Sequence, residues 1–539
     1  MNSDVTKPLT ASQKRARRPD FVATFSLAAL QPQLPLRFPA PAAPPSPKHQ
    51  YRSVYQYLGY AELADPTSLA VLEPFEIGLH LIDFSPLRNY LAQSYVASAR
   101  GQTPFDPVSL LLCVCLRREL GLGWRRLARL LAGQHGAGWR RLCGFQDGCT
   151  PAASGLRYFY HSIGPERCED LCCQVADLLH QAGLLPNHST YPGDPADRGV
   201  SICHDLMLHE AHSNMDCADV SATCYQPAPR PCPAQQADRE GCACQDAACV
   251  KVCRRATPAD CEARFIHYAG CNKEADLPNP ADHPGRDVYG YASNPDRLLD
   301  DRLLDDRFAC AWTLRTGLHP ATSDERNLFP ASFAVLQNRL PWLVMGEVLA
   351  DAALGYQPCL DPIWQSGALR MVDIRAAEGD DQPAVQLRRG YDQEGHPLCL
   401  HGYPMAPNGH DYQRRRTKWR CDHACQHDAQ RSAPDCPFAA AEHPHGQIVN
   451  VGRTLPDGSL RLAREVPYGS ETWKARYGRR NLSESRNASL EGMGLKRLST
   501  SGLAHGRQEI AIADFLDNLR TLGRLVQEAT LLAAKRPPA

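Results

Sequence analysis

The sequence predicts a mixed α/β fold with a helical N-terminal region, a sheet-forming core and cysteine-rich insertions. Three observations predict it. Residues 51–185 carry apolar residues in helical stretches, interrupted by Gly121 and Gly123. From residue 198 the apolar runs shorten to strand length. Three such runs precede a helix and another strand, an order that implies a mixed sheet rather than a doubly wound parallel one.

Length and composition bound the function. The 539 residues suffice for three or four domains at roughly 100–200 residues each, or for one elaborated fold. Apolar residues at 43% and charged residues at 22% exclude wholesale disorder. The longest unbroken apolar run, Leu110–Leu116, is far short of the ~20 residues of a membrane span. Residues 1–20 are basic with no secretory core behind them, so a soluble, non-exported protein without a membrane partner is expected. The 23 cysteines are an odd number in a large chain, which favours buried thiols or metal ligands over a disulfide scaffold.

Residues 1–50 join basic residues to a Pro/Ala-rich stretch, Pro39–Pro47, and read as a flexible tail. In residues 51–185, Asp106-Pro107 has the form of a helix start, an N-cap acid before a first-turn proline. Helices are expected over Val108–Leu120, Trp124–Ala132 and Ala152–Ile163, a helix-turn-helix-like arrangement. Arg117, Arg118, Arg125, Arg126, Arg129, Arg140 and Arg141 face one acid, Glu119, in this stretch. Such a face serves either as solvated surface or as phosphate contact, and the arginine fork suits the latter. Arg125, Arg126 and Arg129 are the candidate DNA contacts.

Residues 198–375 hold candidate strands at Val200–His204, Val288–Ala292, Ala309–Leu314, Leu343–Leu349 and Leu369–Ile374, with a helix over Phe333–Leu340. A cysteine-dense insertion, residues 217–275, holds nine cysteines between Cys217 and Cys271 in no trusted metal spacing. Arg297–Asp301 repeats as Arg302–Asp306, a local duplication. Residues 380–465 read as an inserted β or irregular module. From residue 466 to 534 the chain turns helical, and the segment Ile512–Ala534 has its apolar residues at core spacing. The zero net charge conceals segregation: residues 451–500 alone hold ten Lys/Arg against five acids.

Three elements carry chemistry. Asp205 ends the strand Val200–His204, and Asp351 ends the apolar run from Leu343 before Ala-Ala-Leu-Gly-Tyr. A carboxylate at a strand end suits an oxygen-ligand metal site, although such an Asp more often starts a turn. Tyr477, Arg480 and Glu484 fall on one helix face at about 100° per residue, and so does Glu491. An Arg–Glu pair on a helix surface has the same spacing. With the two strand-end acids, the helix would close a three-carboxylate site. Separately, Cys399-x21-Cys421-x3-Cys425-x10-Cys436 is a candidate tetrathiolate zinc site, the alternative being unpaired thiols in a polar loop.

The order Asp205…Asp351…Tyr477-x2-Arg480-x3-Glu484 resembles the DDE-type transposases of bacterial insertion sequences. Pro104–Leu112, Leu127–Leu131, Leu142–Gly148, Tyr289-Gly-Tyr and Asp514–Leu519 resemble the same proteins, so the likeness spans roughly residues 75–530. The resemblance implies an RNase H-like catalytic core entered by a helical DNA-binding region. The first acid would lie on its first strand, the second after its fourth, and the glutamate on a helix beyond an insertion. The 132 residues between Asp351 and Glu484 leave room for that insertion. It implies metal-dependent cleavage and strand transfer at Asp205, Asp351 and Glu484, with Mg²⁺ or Mn²⁺ as cofactor. Tyr477, Arg480 and Lys496 would contact double-stranded DNA, transposon ends and target, engaged by a homodimer in a bacterial cytoplasm. The family signature continues with a basic residue seven positions after the glutamate, where this chain has Glu491. A catalytically impaired relative that binds ends and regulates transposition is the alternative.

Overall fold

The computed structural model describes residues 18–39, 50–59, 63, 66–95, 103–146, 148–213, 260, 262–268, 286–303, 310–373, 396–411, 416–423, 425, 436–438, 443–452, 465–466 and 471–535. The cysteines from Cys217 to Cys271 lie outside these residues, as do residues 304–306 of the second Arg-Leu-Leu-Asp-Asp copy.

The long helix Leu503–Ala534 is the axis of the molecule, with buried residues along most of its length. The helices Pro74–Leu81 and Pro165–Gln181 pack along it. A Cβ at Gly523 would come within 1.8 Å of the Pro74 carbonyl oxygen, so the close approach requires glycine there. The flexible-tail expectation for residues 1–50 needs correction over residues 18–39, the part of it that is described besides residue 50. Arg18–Phe25 forms a helix packed on Leu503–Ala534, and Phe21 and Phe25, one turn apart, are fully buried. Composition hid that short apolar pair. Leu36–Arg37 (β1) then pairs in parallel with Ile82–Asp83 (β2).

The helices Pro107–Glu119, Trp124–Ala132, Ala137–Cys143 and Ala153–Ile163 follow. Asp106 caps the first of them, one oxygen accepting from Val108 N–H at 3.0 Å. Its other oxygen accepts from Tyr55 N–H and Arg88 Nε, tying the helix start to the preceding chain.

The main sheet combines β3 (Val200–His204), β4 (Met207–Glu210), β5 (Arg264–Tyr268), β6 (Arg286–Asp300), β7 (Cys310–Pro320), β8 (Met345–Ala350) and β9 (Leu369–Val372). Across it, β7, β6 and β3 run antiparallel in turn, whereas β8 and β9 lie parallel to β3. The helix Glu325–Arg339 links β7 to β8, and Gln357–Gln365 links β8 to β9. Strands β6 and β7 run well beyond the stretches expected, and β4 and β5 were not expected. β4 continues β3 after a break, and both pair with the long β6.

Strand alternation sorts two faces. Val200, Ile202, Leu298, Trp312 and Val348 join the core shared with the helices. Cys203, Leu299, Ala311, Leu349 and Met371 form a second cluster with Met405, Trp419, Val449, Val451 and Trp473. This second face is covered by a three-stranded antiparallel sheet, β10 (Ala406–Asp411), β11 (Arg416–Arg420) and β12 (Ile448–Gly452), and by the helix Glu471–Tyr477. Among the described residues, no helix is long and apolar enough to cross a membrane.

Candidate active site

Strand register sets the site. Cys203 on β3 pairs with Leu349 on the parallel β8. Asp205 and Asp351 each lie two residues further on, so the two carboxylates leave the same sheet edge on neighbouring strands, which run ~5 Å apart. Asp205 occupies the break between β3 and β4. His204 pairs with Asp296 and Met207 with Ser293, leaving Asn294 and Pro295 of β6 opposite the gap. Pro295 has no N–H to offer a ladder there.

Asp351 ends β8 and caps a 3₁₀ turn, Ala352–Leu354, one oxygen accepting from Ala353 N–H at 2.9 Å. Burial raises its pKa, and the Asp205 charge raises it further against the Ala353 N–H, Arg480 and His204. His204 Nδ1 donates to the Asp296 carboxylate at 2.8 Å, and its ring is edge-on to Phe329. Burial opposes its charge, but the Asp296 hydrogen bond and charge raise its pKa overall. Glu325, at the start of the helix Glu325–Arg339, is raised first by burial and then by Asp351. Sequence reasoning missed His204, Asp296 and Glu325 because no spacing marks residues that meet only across strands.

The third element departs from expectation. The stretch holding Tyr477, Arg480, Glu484 and Glu491 is not one α-helix. Glu471–Tyr477 gives way to a 3₁₀ turn, Gly478–Ser483, and a new helix, Glu484–Gly492. The tighter 3₁₀ winding shifts the faces. Arg480 Nη1 approaches Asp205 at 3.2 Å and Ser483 Oγ donates to it at 2.9 Å, with Asn487 Nδ2 at 3.4 Å. Glu484, next to Ser483, is exposed, and its carboxylate makes no hydrogen bond or ion pair among the described residues. Tyr477 stacks on Trp473 at 4.4 Å and lies 5.9 Å from the Arg480 guanidinium. Burial opposes the Arg480 charge, while Tyr477, Asp205, Cys203 and Asp351 raise its pKa overall.

A buried ionic network fastens this segment to the sheet. Glu347 of β8, fully buried, binds Arg476 at 2.9 Å, Ser201 Oγ at 2.7 Å, and Arg479. Arg476 also binds Asp194, and Arg479 binds Asp301. Both guanidinium groups lie over the Tyr191 ring. From the other side, Arg297 donates to the Leu482 and Ser483 carbonyls at 3.1 and 3.3 Å and pairs with Asp517 at 3.3 Å. Arg480 and Ser483 are thus aimed at Asp205 from a clamped backbone.

The register brings Asp205 and Asp351 to neighbouring strand ends, and the exposed Glu484 side chain does not join them. Among the described residues, no group of three or more His, Cys, Asp or Glu side chains is spaced to hold a metal ion. Lys496 lies elsewhere: the chain turns at Gly494, and the Lys496 carbonyl accepts from Glu210 N–H at 2.8 Å, at the end of β4 remote from Asp205. Arg125, Arg126 and Arg129 are exposed on the helix Trp124–Ala132, whose Leu127 and Leu131 are buried. No protein-family model and no curated protein matches the chain.

Proposed function

We propose that the chain is a DNA transposase with an RNase H-like core, binding insertion-sequence ends and catalysing strand cleavage and strand transfer. The observation that carries the reading is the level placement of Asp205 and Asp351 on the adjacent parallel strands β3 and β8. The strand order β7-β6-β3-β8-β9, antiparallel through its first three members and parallel through its last three, supports the RNase H-like part. Arg480 and Tyr477 beside the acids suit a phosphate near the scissile bond. The exposed arginines of Trp124–Ala132 suit the duplex backbone, with two copies of the chain on paired ends. The proposal includes Mg²⁺ or Mn²⁺, with Asp205 and Asp351 as the two carboxylates at hand.

The test searches the DNA flanking the gene for inverted repeats and incubates a labelled duplex carrying them with the full chain and Mg²⁺. Nicking at the repeat end by wild type, lost in Asp351→Asn, is the expected result. A chain that binds the ends but never nicks them overturns the enzymatic reading. Glu484 standing apart from the aspartates, with an acid at Glu491, favours a second reading in that event: a non-cleaving relative that occupies ends and regulates transposition.

A further inference from the structure

We propose that Cys399, Cys421, Cys425 and Cys436 bind one structural Zn²⁺ that closes the three-stranded module over the second face of the main sheet. The inference is independent of the DNA reading.

All four thiols are free; Cys399, Cys421 and Cys425 are buried, and Cys436 is half-buried. Three separate pieces of chain bring them together. Cys399 lies in the turn closed by the Leu398–Pro404 bridge. Cys421 follows β11 directly, and Cys436 comes from the loop before β12. Cys399 and Cys421 belong to one buried cluster, and the Phe438 ring, two residues after Cys436, packs edge-on against His443, whose carbonyl is hydrogen-bonded to His423 between Cys421 and Cys425.

The backbone around Cys421 is built for a sulfur that accepts. Gln447 N–H donates to Cys421 Sγ at 3.2 Å, while the Gln447 side-chain oxygen accepts from Leu400 N–H, beside Cys399. Asp422 and His423 both adopt positive φ, a tight left-handed turn that brings Cys425 back towards Cys421. The turn is tied to the opposite loop by a 2.9 Å hydrogen bond between His423 Nε2 and the His443 carbonyl. At Gly446 a Cβ would come within 2.3 Å of Cys421 Sγ, so the loop approaches the sulfur as closely as a glycine allows.

Chemistry selects the ion. Four soft thiolates in a closed tetrahedral set take Zn²⁺ and disfavour Mg²⁺ or Ca²⁺. Each ligand thiol releases its proton to solvent on binding, and the dication offsets the repulsion among the thiolates. The module needs such a closure. Its strands are five or six residues long, and a three-stranded sheet that short has little core of its own. The sulfurs are not yet at ligand spacing, so metal entry draws them inward.

Zinc is measured by mass spectrometry in the full chain after gel filtration without chelator, and Co²⁺ replacement is followed by visible absorption. Wild type should hold one more zinc equivalent than Cys421→Ser/Cys425→Ser, and the difference cobalt spectrum should be that of a tetrahedral thiolate site. Cys149→Ser should match wild type. Cys436→His keeps a ligand and should retain the metal. Cys436→Ser should lower affinity by more than the roughly 10-fold that loss of an outer-shell partner costs. The proposal is overturned if wild type and the double variant hold equal zinc, or if wild type holds none. Disulfides among these four cysteines in the freshly purified chain also overturn it, and this readout does not depend on the variants folding.

Discussion

Asp205 and Asp351, 146 positions apart in sequence, stand side by side because each lies two residues beyond the paired Cys203 and Leu349. Parallel pairing fixes this level arrangement: a one-residue slip of β8 would turn Asp351 to the other face of the sheet. Arg480 and Ser483 then reach Asp205 from a 3₁₀ turn clamped by buried arginines.

The third acid is open to direct test. On the proposed transposase reading, Glu484→Gln should reduce end cleavage by about 100-fold or more if Glu484 swings in when DNA binds. Because Glu484 is exposed, its stability should change by no more than about 0.5 kcal/mol. Glu325→Gln should still nick. The reverse outcome in the same assay would make Glu325 the third acid.

The arginine face makes a prediction about salt. The triple substitution Arg125→Ala/Arg126→Ala/Arg129→Ala leaves the buried Leu127 and Leu131 in place. Binding to duplex DNA should weaken, and the slope of log affinity against log salt should become shallower by up to about 3, near one per lost phosphate contact. Gel shifts over a salt series measure it. Unchanged binding and slope would overturn these arginines as phosphate contacts.

Arg486 and Asp514 form a fully buried pair at 2.6 Å between the helix Glu484–Gly492 and the axial helix. Removing one partner strands the other charge. Arg486→Met should cost roughly 3–5 kcal/mol, read as a lower urea midpoint. The double variant Arg486→Met/Asp514→Leu should recover much of that loss.

His209 gives stability a pH dependence. Its Nδ1 donates to the Leu495 carbonyl at 2.6 Å, and Nε2 is 2.7 Å from Ser293 Oγ, which fits the neutral ring. Burial depresses its pKa to about 4. The unfolded chain, with an ordinary value of ~6.5, therefore binds the extra proton first as pH falls. The contribution is complete above pH ~6.5 and lost towards pH ~4, on the order of 3 kcal/mol. Urea midpoints at pH 7 and pH 5 should converge in His209→Gln relative to wild type.

Local signals made much of the framework legible. Asp106-Pro107 marked a capped helix, the pattern Trp124–Ala132 marked a helix with those bounds, and Val200–His204 marked a strand. Periodicity and capping act within a few residues, so they survive without tertiary context. The strand-end positions of Asp205 and Asp351 were readable for the same reason. The extent of β6 and the existence of β4 and β5 were not, because their pairing is with distant chain.

The site divides along the same line. Asp205, Asp351, Tyr477 and Arg480 were nameable from residue order. Which of their neighbours face them was not: a single α-helical period put Glu484 beside Arg480, whereas the 3₁₀ turn puts Ser483 and Asn487 against Asp205. That turn is held by Arg297, Arg476 and Arg479, each gripping acids or carbonyls from remote segments. Local sequence encodes short-range conformational preference. Side-chain convergence depends on strand register and buried ion pairing, which form only when the chain has packed.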